Sequence, residues 1–174
     1  MESIADHLSK SARAVKAEDI AGEILRQLDD QFVAAIYRDK ILTQRTRQYE
    51  LHAPARSSTV EVLHTLLGIE LKVANRRLLC PDLATARYLS VFARLGCERI
   101  AVPYDITQIS RLADELESSL QRMMVLVEHF TADRTERLRS VVRRRLRDEA
   151  RAMIAELGSG AKFPKFNQKT SQRK

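Results

Sequence analysis

Residues 69–82 read Ile69-Glu70-Leu71-Lys72-Val73-Ala74-Asn75-Arg76-Arg77-Leu78-Leu79-Cys80-Pro81-Asp82. Apolar and charged side chains alternate strictly over residues 69–73, which predicts a strand with one face in water. The pair Asn75-Arg76 is typical of a turn, so that residues 77–80 form a second strand. This stretch therefore predicts two strands at the centre of the fold.

On the C-terminal side of these strands, the sequence predicts a capped helix and another strand. Asp82 is suited to the N-cap of a helix over residues 83–95, and Gly96 is suited to end that helix. Residues 99–102 are apolar and β-branched enough to predict a third strand. Asp105 then occupies the N-cap position of the last helical stretch.

On the N-terminal side, the sequence predicts helices. Ser58 and Glu61 have the spacing of a capping box, which predicts a short helix over residues 59–67. Apolar side chains recur every three or four residues over 2–16 and 17–47, which predicts two further helices. The predicted order of the central elements is therefore αββαβ, and helices precede it.

The region from residue 106 to residue 157 contains no Gly or Pro and predicts a long amphipathic helix. Its apolar stripe lapses over residues 131–137. Either one helix crosses this gap, or Asp133 and Glu136 cap a second helix there. The last segment, 161–174, has four Lys, one Arg and no periodicity, which predicts a disordered basic tail.

These elements define an α+β fold that is mainly helical. Five Gly and four Pro in 174 residues are too few for the turns of an all-β protein. We expect four parts: an N-terminal helical segment, a small α+β core, a long helix or helix pair, and the tail. Their ranges are 1–48, 49–105, 106–160 and 161–174.

Location is predicted from what the sequence lacks. No apolar run approaches 18 residues, and the first residues do not form a secretory signal, so no transmembrane segment is expected. Cys80 and Cys97 are too few for a disulfide framework or a zinc site, and we expect two buried thiols in a reducing cytoplasm.

The net charge of +7 is concentrated at one end of the chain. Residues 129–174 contain 13 Lys and Arg but only 5 Asp and Glu, whereas the preceding 128 residues are close to neutral. Such asymmetry indicates a polyanionic partner. The alternative is a solvated helix in a chain that uses Arg far more than Lys.

The arginines of this region follow helical spacing. Arg137, Arg144 and Arg151 recur every two turns, about 10.5 Å apart, opposite the apolar stripe. Guanidinium groups bind phosphates bidentately, so we predict contacts with DNA or RNA and no enzymatic role. In the tail, Phe163 and Phe166 could stack on bases. The predicted nucleic-acid-binding residues are Arg134, Arg137, Arg143, Arg144, Arg147, Arg151, Lys162 and Lys165.

Other partners fit the same arginines. Asp133 and Asp148 lie four residues from Arg137 and Arg144 and could neutralise part of the row. An acidic protein would also suit a cationic helix face, which would make the protein an assembly or adaptor protein. A lipid surface is a further alternative.

The acidic residues of the centre leave a catalytic alternative open. Asp82 and Asp105 each stand where a strand is followed by a helix, so they are either a carboxylate pair at one sheet edge or two N-caps. Glu70 and Lys72 project from one face of a strand, where they could hold a metal and orient a water, or belong to a wet strand face. The four histidines have no ligand spacing, and no cofactor or metal site is predicted.

With Glu61, the layout of this centre resembles that of the PD-(D/E)xK nucleases. The resemblance implies a metal-dependent phosphodiesterase that uses Asp82, Glu70 and Lys72. Those enzymes place the metal-binding aspartate before the Glu-x-Lys strand, whereas Pro81-Asp82 follows it in this sequence.

The long C-terminal helix also predicts self-association. Six apolar positions between Ile109 and Phe130 form a seam at heptad spacing. A second stripe, from Leu138 to Leu157, has no obvious partner within the chain. We therefore expect a homodimer.

Overall fold

The computed structural model describes residues 17–56 and 59–160, and it confirms an α+β fold that is mainly helical. The predicted helix over 2–16 and the predicted tail lie outside the described residues. Helix α1 covers residues 17–28. The remaining elements are α2 (Val33–Ile36), β1 (Thr46–Glu50), β2 (Val60–Thr65), β3 (Gly68–Val73), β4 (Arg76–Cys80), α3 (Leu83–Leu95), β5 (Arg99–Pro103), α4 (Ile106–Phe130) and α5 (Glu136–Leu157).

Strands β2, β3 and β4 form an antiparallel meander, which confirms the two strands predicted over 69–80. The helix predicted over residues 59–67 is wrong, because β2 occupies that position. Val60 and Val62 turn towards the core, while Glu61 between them is exposed and its carboxylate lies 3.2 Å from the ammonium of Lys72. Cross-strand pairing and β-branched side chains outweigh the capping-box spacing, and the central order is βββαβ.

The predicted helix over 17–47 is interrupted and ends early. After α1, a 3-10 turn at Asp29–Gln31 and extended backbone at Phe32 separate off α2, which continues as a π-helical turn over Tyr37–Ile41. Thr46 then begins β1, which pairs antiparallel with β5. Strand β5 is almost wholly buried, so its backbone groups need a hydrogen-bonding neighbour, and this tertiary requirement overrides the helical pattern.

Helix α3 is confirmed with the predicted bounds and caps. The Asp82 carboxylate accepts a hydrogen bond from the backbone N–H of Thr85 at 2.7 Å. Gly96 ends the helix with φ +78°, and a Cβ there would lie 2.8 Å from the carbonyl oxygen of Pro54. Phe92 is fully buried and contacts the rings of Tyr37 and Tyr88. Helix α3 therefore forms the centre of the hydrophobic core.

The last helical region consists of two helices, which confirms the second of the two predicted alternatives. The residue that caps α5 is Thr135 and not Asp133, because the Thr135 hydroxyl accepts from the backbone N–H of Leu138 at 3.3 Å. Helices α4 and α5 are amphipathic, and no helix of the described ranges has the length and apolarity to cross a membrane.

The stripe of α5 is covered within the chain. Val142, Leu146, Ala150 and Ile154 are buried, and α5 packs against α2, α3, α4 and β5. The reason given above for a homodimer, an uncovered stripe on this helix, is therefore wrong. The homodimer itself stays a prediction, as does the division into four parts.

Candidate anion-binding groove

An open groove of about 960 Å³ lies between the outer face of α5 and the segment that precedes β2. Five arginines and one aspartate contribute to its walls. Because α5 turns its apolar stripe inward, its charged residues line this groove. The lining residues are Ala55, Arg56, Ser140, Arg143, Arg144, Arg147, Asp148 and Arg151.

The second wall is fixed by backbone hydrogen bonds. Leu51 and His52 donate from their backbone N–H groups to the carbonyl oxygen of Glu98, and Ala53 donates to that of Cys97. Arg151 donates from its guanidinium to the carbonyl oxygen of Ala55 at 2.8 Å, which ties the segment to α5. The two walls are therefore connected directly, although their residues are 96 positions apart in sequence.

Two groove arginines are held in place by carboxylates. Arg143 contacts Glu128 of α4 and also Glu136 of α5, the latter at 3.1 Å. Arg151 pairs with Asp148 at 2.9 Å. These contacts restrict the two side chains before any ligand arrives, so binding would cost less conformational entropy.

The other groove arginines have no ion-pair partner among the described residues. They are Arg56 on one wall, and Arg144 and Arg147 on the other. The expected neutralisation of Arg144 by Asp148 is wrong, because Asp148 pairs with Arg151. The Nε atoms of Arg143 and Arg147 are buried and have no hydrogen-bond acceptor in the described part of the chain.

Some of the charged residues elsewhere on the molecule are compensated by ion pairs. Arg87 of α3 binds Asp114 and Glu117 of α4, and these carboxylates raise the pKa of its guanidinium. A second cavity, of about 570 Å³, contains both signs of charge, and two of its lining residues, Lys40 and Glu115, pair at 2.5 Å. The arginine groove differs from this cavity in its lining, which contains five arginines and a single carboxylate.

The structure brings together four of the predicted binding residues, namely Arg143, Arg144, Arg147 and Arg151. Arg134 and Arg137 are exposed but do not line the groove. Lys162 and Lys165 lie outside the described residues. Sequence reasoning missed Arg56, because no local pattern reveals that its segment packs against a helix about 90 residues later.

The acidic candidates of the centre have structural partners. Asp82 and Asp105 are both helix N-caps, and they follow strands of two different sheets, so the pairing at one sheet edge is wrong. Hydrogen bonds from Thr107 lower the pKa of Asp105. The alternative readings of these residues as caps are thereby confirmed.

Glu70 and Lys72 share one face of β3, as predicted, but the expectation that this face lies in water is wrong for Glu70, which is buried. Each of the two is paired across the sheet. Glu70 contacts Arg77 at 3.5 Å, and Lys72 contacts Glu61 at 3.2 Å. Within residues 17–56 and 59–160, no group of three or more His, Cys, Asp or Glu side chains could hold a metal ion.

Comparisons with known proteins give no relative for this chain. No protein-family model matches it, and no curated protein or solved structure matches it.

Proposed function

We propose that this protein is a nucleic-acid-associated binding protein that holds phosphates in the arginine groove. The observation that supports the proposal is the grouping in one concavity of three arginines, Arg56, Arg144 and Arg147, that have no ion pair within residues 17–56 and 59–160. Guanidinium groups bind phosphate oxygens bidentately and remain charged at all physiological pH values.

The surroundings of the groove support a polymeric anion. The chain continues from the C-terminus of α5 into a basic segment, and the attachment point is fixed. Tyr37 donates from its hydroxyl to the carbonyl oxygen of Gly158 at 2.6 Å, and Ser159 donates to the side-chain oxygen of Gln48 at 3.0 Å. Gly158 and Arg151 line a common cavity, and Gly160 lies beside Thr46, so a polyanion that contacts both the groove and the segment must extend past the C-terminal end of α5. A long polyanion could contact both.

A charge-matched pair of variants tests this proposal. Arg144→Gln/Arg147→Gln removes two groove charges, and Arg94→Gln/Arg122→Gln removes two from exposed positions on α3 and α4 that have no ion pair in the described ranges. Binding of a 20-base-pair duplex and of a single strand is measured by fluorescence anisotropy at several salt concentrations.

The groove variant should bind both more weakly than the control. Its plot of log affinity against log salt should be less steep, with a slope smaller in magnitude by about 1.4–1.8, since each of the two lost phosphate contacts accounts for about 0.7–0.9 of a released counterion. Both variants should unfold at the wild-type midpoint, because surface substitutions change stability by about 0.5 kcal/mol or less. Equal binding by the two variants would contradict the proposal, as would a wild type that binds neither probe at about 50 mM salt.

The adaptor alternative predicts a different result in the same assay. If the partner is an acidic protein, the wild type and the control variant should bind polynucleotides equally weakly. The groove substitutions should then leave this weak binding unchanged. The nuclease alternative has no specific observation in its favour, because its three residues have structural partners.

A further inference from the structure

We infer that the groove recognises the phosphate backbone of a nucleic acid without reading its bases, and that Arg147 is the central phosphate ligand. This inference rests on the proposed function and specifies the chemistry of the same site. It makes two claims that can fail separately. The first is that the affinity contributed by the groove does not depend on the bases. The second is that substitution of Arg147 lowers the affinity more than substitution of an equally charged residue elsewhere.

The composition of the groove supports the first claim. None of its eight lining residues is aromatic, and none has a side-chain amide. Bases are recognised by stacking on aromatic rings, by hydrogen bonds from arginines and amides, or by hydrogen bonds that amide oxygens and carboxylates accept. The only lining carboxylate, on Asp148, already pairs with Arg151.

In a duplex, arginines read guanine where they protrude into the major groove. That mode requires a helix face that can enter the major groove, which is about 12 Å wide. The arginine face of α5 is instead flanked by residues 54–56 and forms one wall of a concavity. A duplex would therefore meet this concavity with its outermost groups, which are phosphates.

The position of Arg147 supports the second claim. Arg143 and Arg151 lie one turn before and after it on the same helix face, each about 6 Å away along the axis. Both neighbours are held by carboxylates, whereas Arg147 has no ion-pair partner among the described residues. An anion at Arg147 would thus find a prepositioned guanidinium on either side.

Unpaired hydrogen-bond donors mark the same place. The Nε–H groups of Arg143 and Arg147 are buried and have no acceptor in the described part of the chain, and both arginines contribute other atoms to the lining of the groove. Phosphate oxygens in the groove can accept from the guanidinium of Arg147, which has no ion-pair partner among the described residues. Arg144 and Arg56, which are exposed, then contact the neighbouring phosphates of the chain.

The experiment compares two fluorescent 20-mers, oligo(dT) and an abasic strand with the same sugar–phosphate backbone. Each is titrated at about 100 mM salt with the full-length wild type, Arg147→Gln, Arg147→Lys and the matched control Arg94→Gln. All four proteins should share one unfolding midpoint, which shows that differences arise at the site.

We expect the fold-loss caused by Arg147→Gln to be the same on both strands, on the order of tenfold, and larger than that of Arg94→Gln. Arg147→Lys should recover part of it, because lysine keeps the charge but lacks the Nε donor and the bidentate geometry. Each fold-loss compares a variant with the wild type on the same strand. Any affinity that the tail phenylalanines contribute by stacking on bases therefore cancels from it.

Two results would overturn the inference and leave the proposed function intact. One is a loss on Arg147→Gln confined to oligo(dT), which would mean that the groove reads bases. The other is binding of oligo(dT) that Arg147→Gln weakens no more than Arg94→Gln does. If the wild type binds neither strand, the proposed function fails, and this inference fails with it.

Discussion

Helices α3 and α5 are capped in similar ways but differ greatly in how many of their residues are buried. Each has an N-cap side chain that accepts from the backbone and a Gly at its C-cap. Nine of the 13 residues of α3 are buried, whereas only four of the 22 residues of α5 are. Packing therefore determines nearly every position of α3, while α5 attaches through one narrow stripe and leaves its outer face for charged groups.

The largest effect is expected where the packing is densest. Phe92→Ala in α3 removes a fully buried ring from between Tyr37 and Tyr88 and leaves a cavity. We expect the free energy of unfolding to fall by about 3–5 kcal/mol. Chemical denaturation monitored by circular dichroism measures it, and an unchanged midpoint would contradict the central position of α3.

A smaller loss is expected from the stripe of α5. Leu146→Ala truncates a fully buried side chain that packs against the body of the same chain. The free energy of unfolding should fall by about 2–4 kcal/mol, with the mass in solution unchanged. If the wild type has the mass of two chains at micromolar concentration and Leu146→Ala has the mass of one, the stripe lies between copies instead.

The same contrast explains which parts of the fold could be predicted. Helix α3 has strong local signals at both ends, Asp82 and Gly96, and its tertiary environment agrees with them. The segment 59–67 has conflicting signals, since the spacing of Ser58 and Glu61 favours a helix and the alternation of valines favours a strand. A cross-strand partner decides such cases, and local patterns do not include it.

For the candidate site, sequence predicted one wall and not the other. Helical periodicity placed Arg137, Arg144, Arg147 and Arg151 on one face, and the last three of these line the groove whereas Arg137 does not. It could not show that Arg151 would be tied to Ala55 or that Arg56 would stand opposite, because these contacts join distant segments. It also could not distinguish paired from unpaired arginines, which depends on the placement of Glu128 on another helix.

The smallest expected change in the free energy of unfolding, expressed per pH unit, comes from the place where the C-terminal ends of α3 and α5 meet. Cys97 follows the C-cap of α3, and burial raises the pKa of its thiol to about 12, although Arg151 of α5 opposes this shift. Burial likewise raises the pKa of Tyr37, whose hydroxyl binds Gly158, to about 12. Both groups are therefore held neutral in the folded chain.

A rise in pH should weaken this junction. In the unfolded chain, thiols lose their protons near pH 9 and phenols near pH 10, whereas the folded protein keeps them until about pH 12. The stabilisation is fully present below pH 9 and is lost as the pH rises to 12, by at most about 1.4 kcal/mol per pH unit for each group. Denaturation curves from pH 7.5 to 10.5 measure this decline. In the variant Cys80→Ala/Cys97→Ala, it should begin near pH 10 instead of pH 9, since burial raises the pKa of the Cys80 thiol as well. A decline that starts at the same pH in both proteins would mean that the thiol beside α5 is not shielded from water.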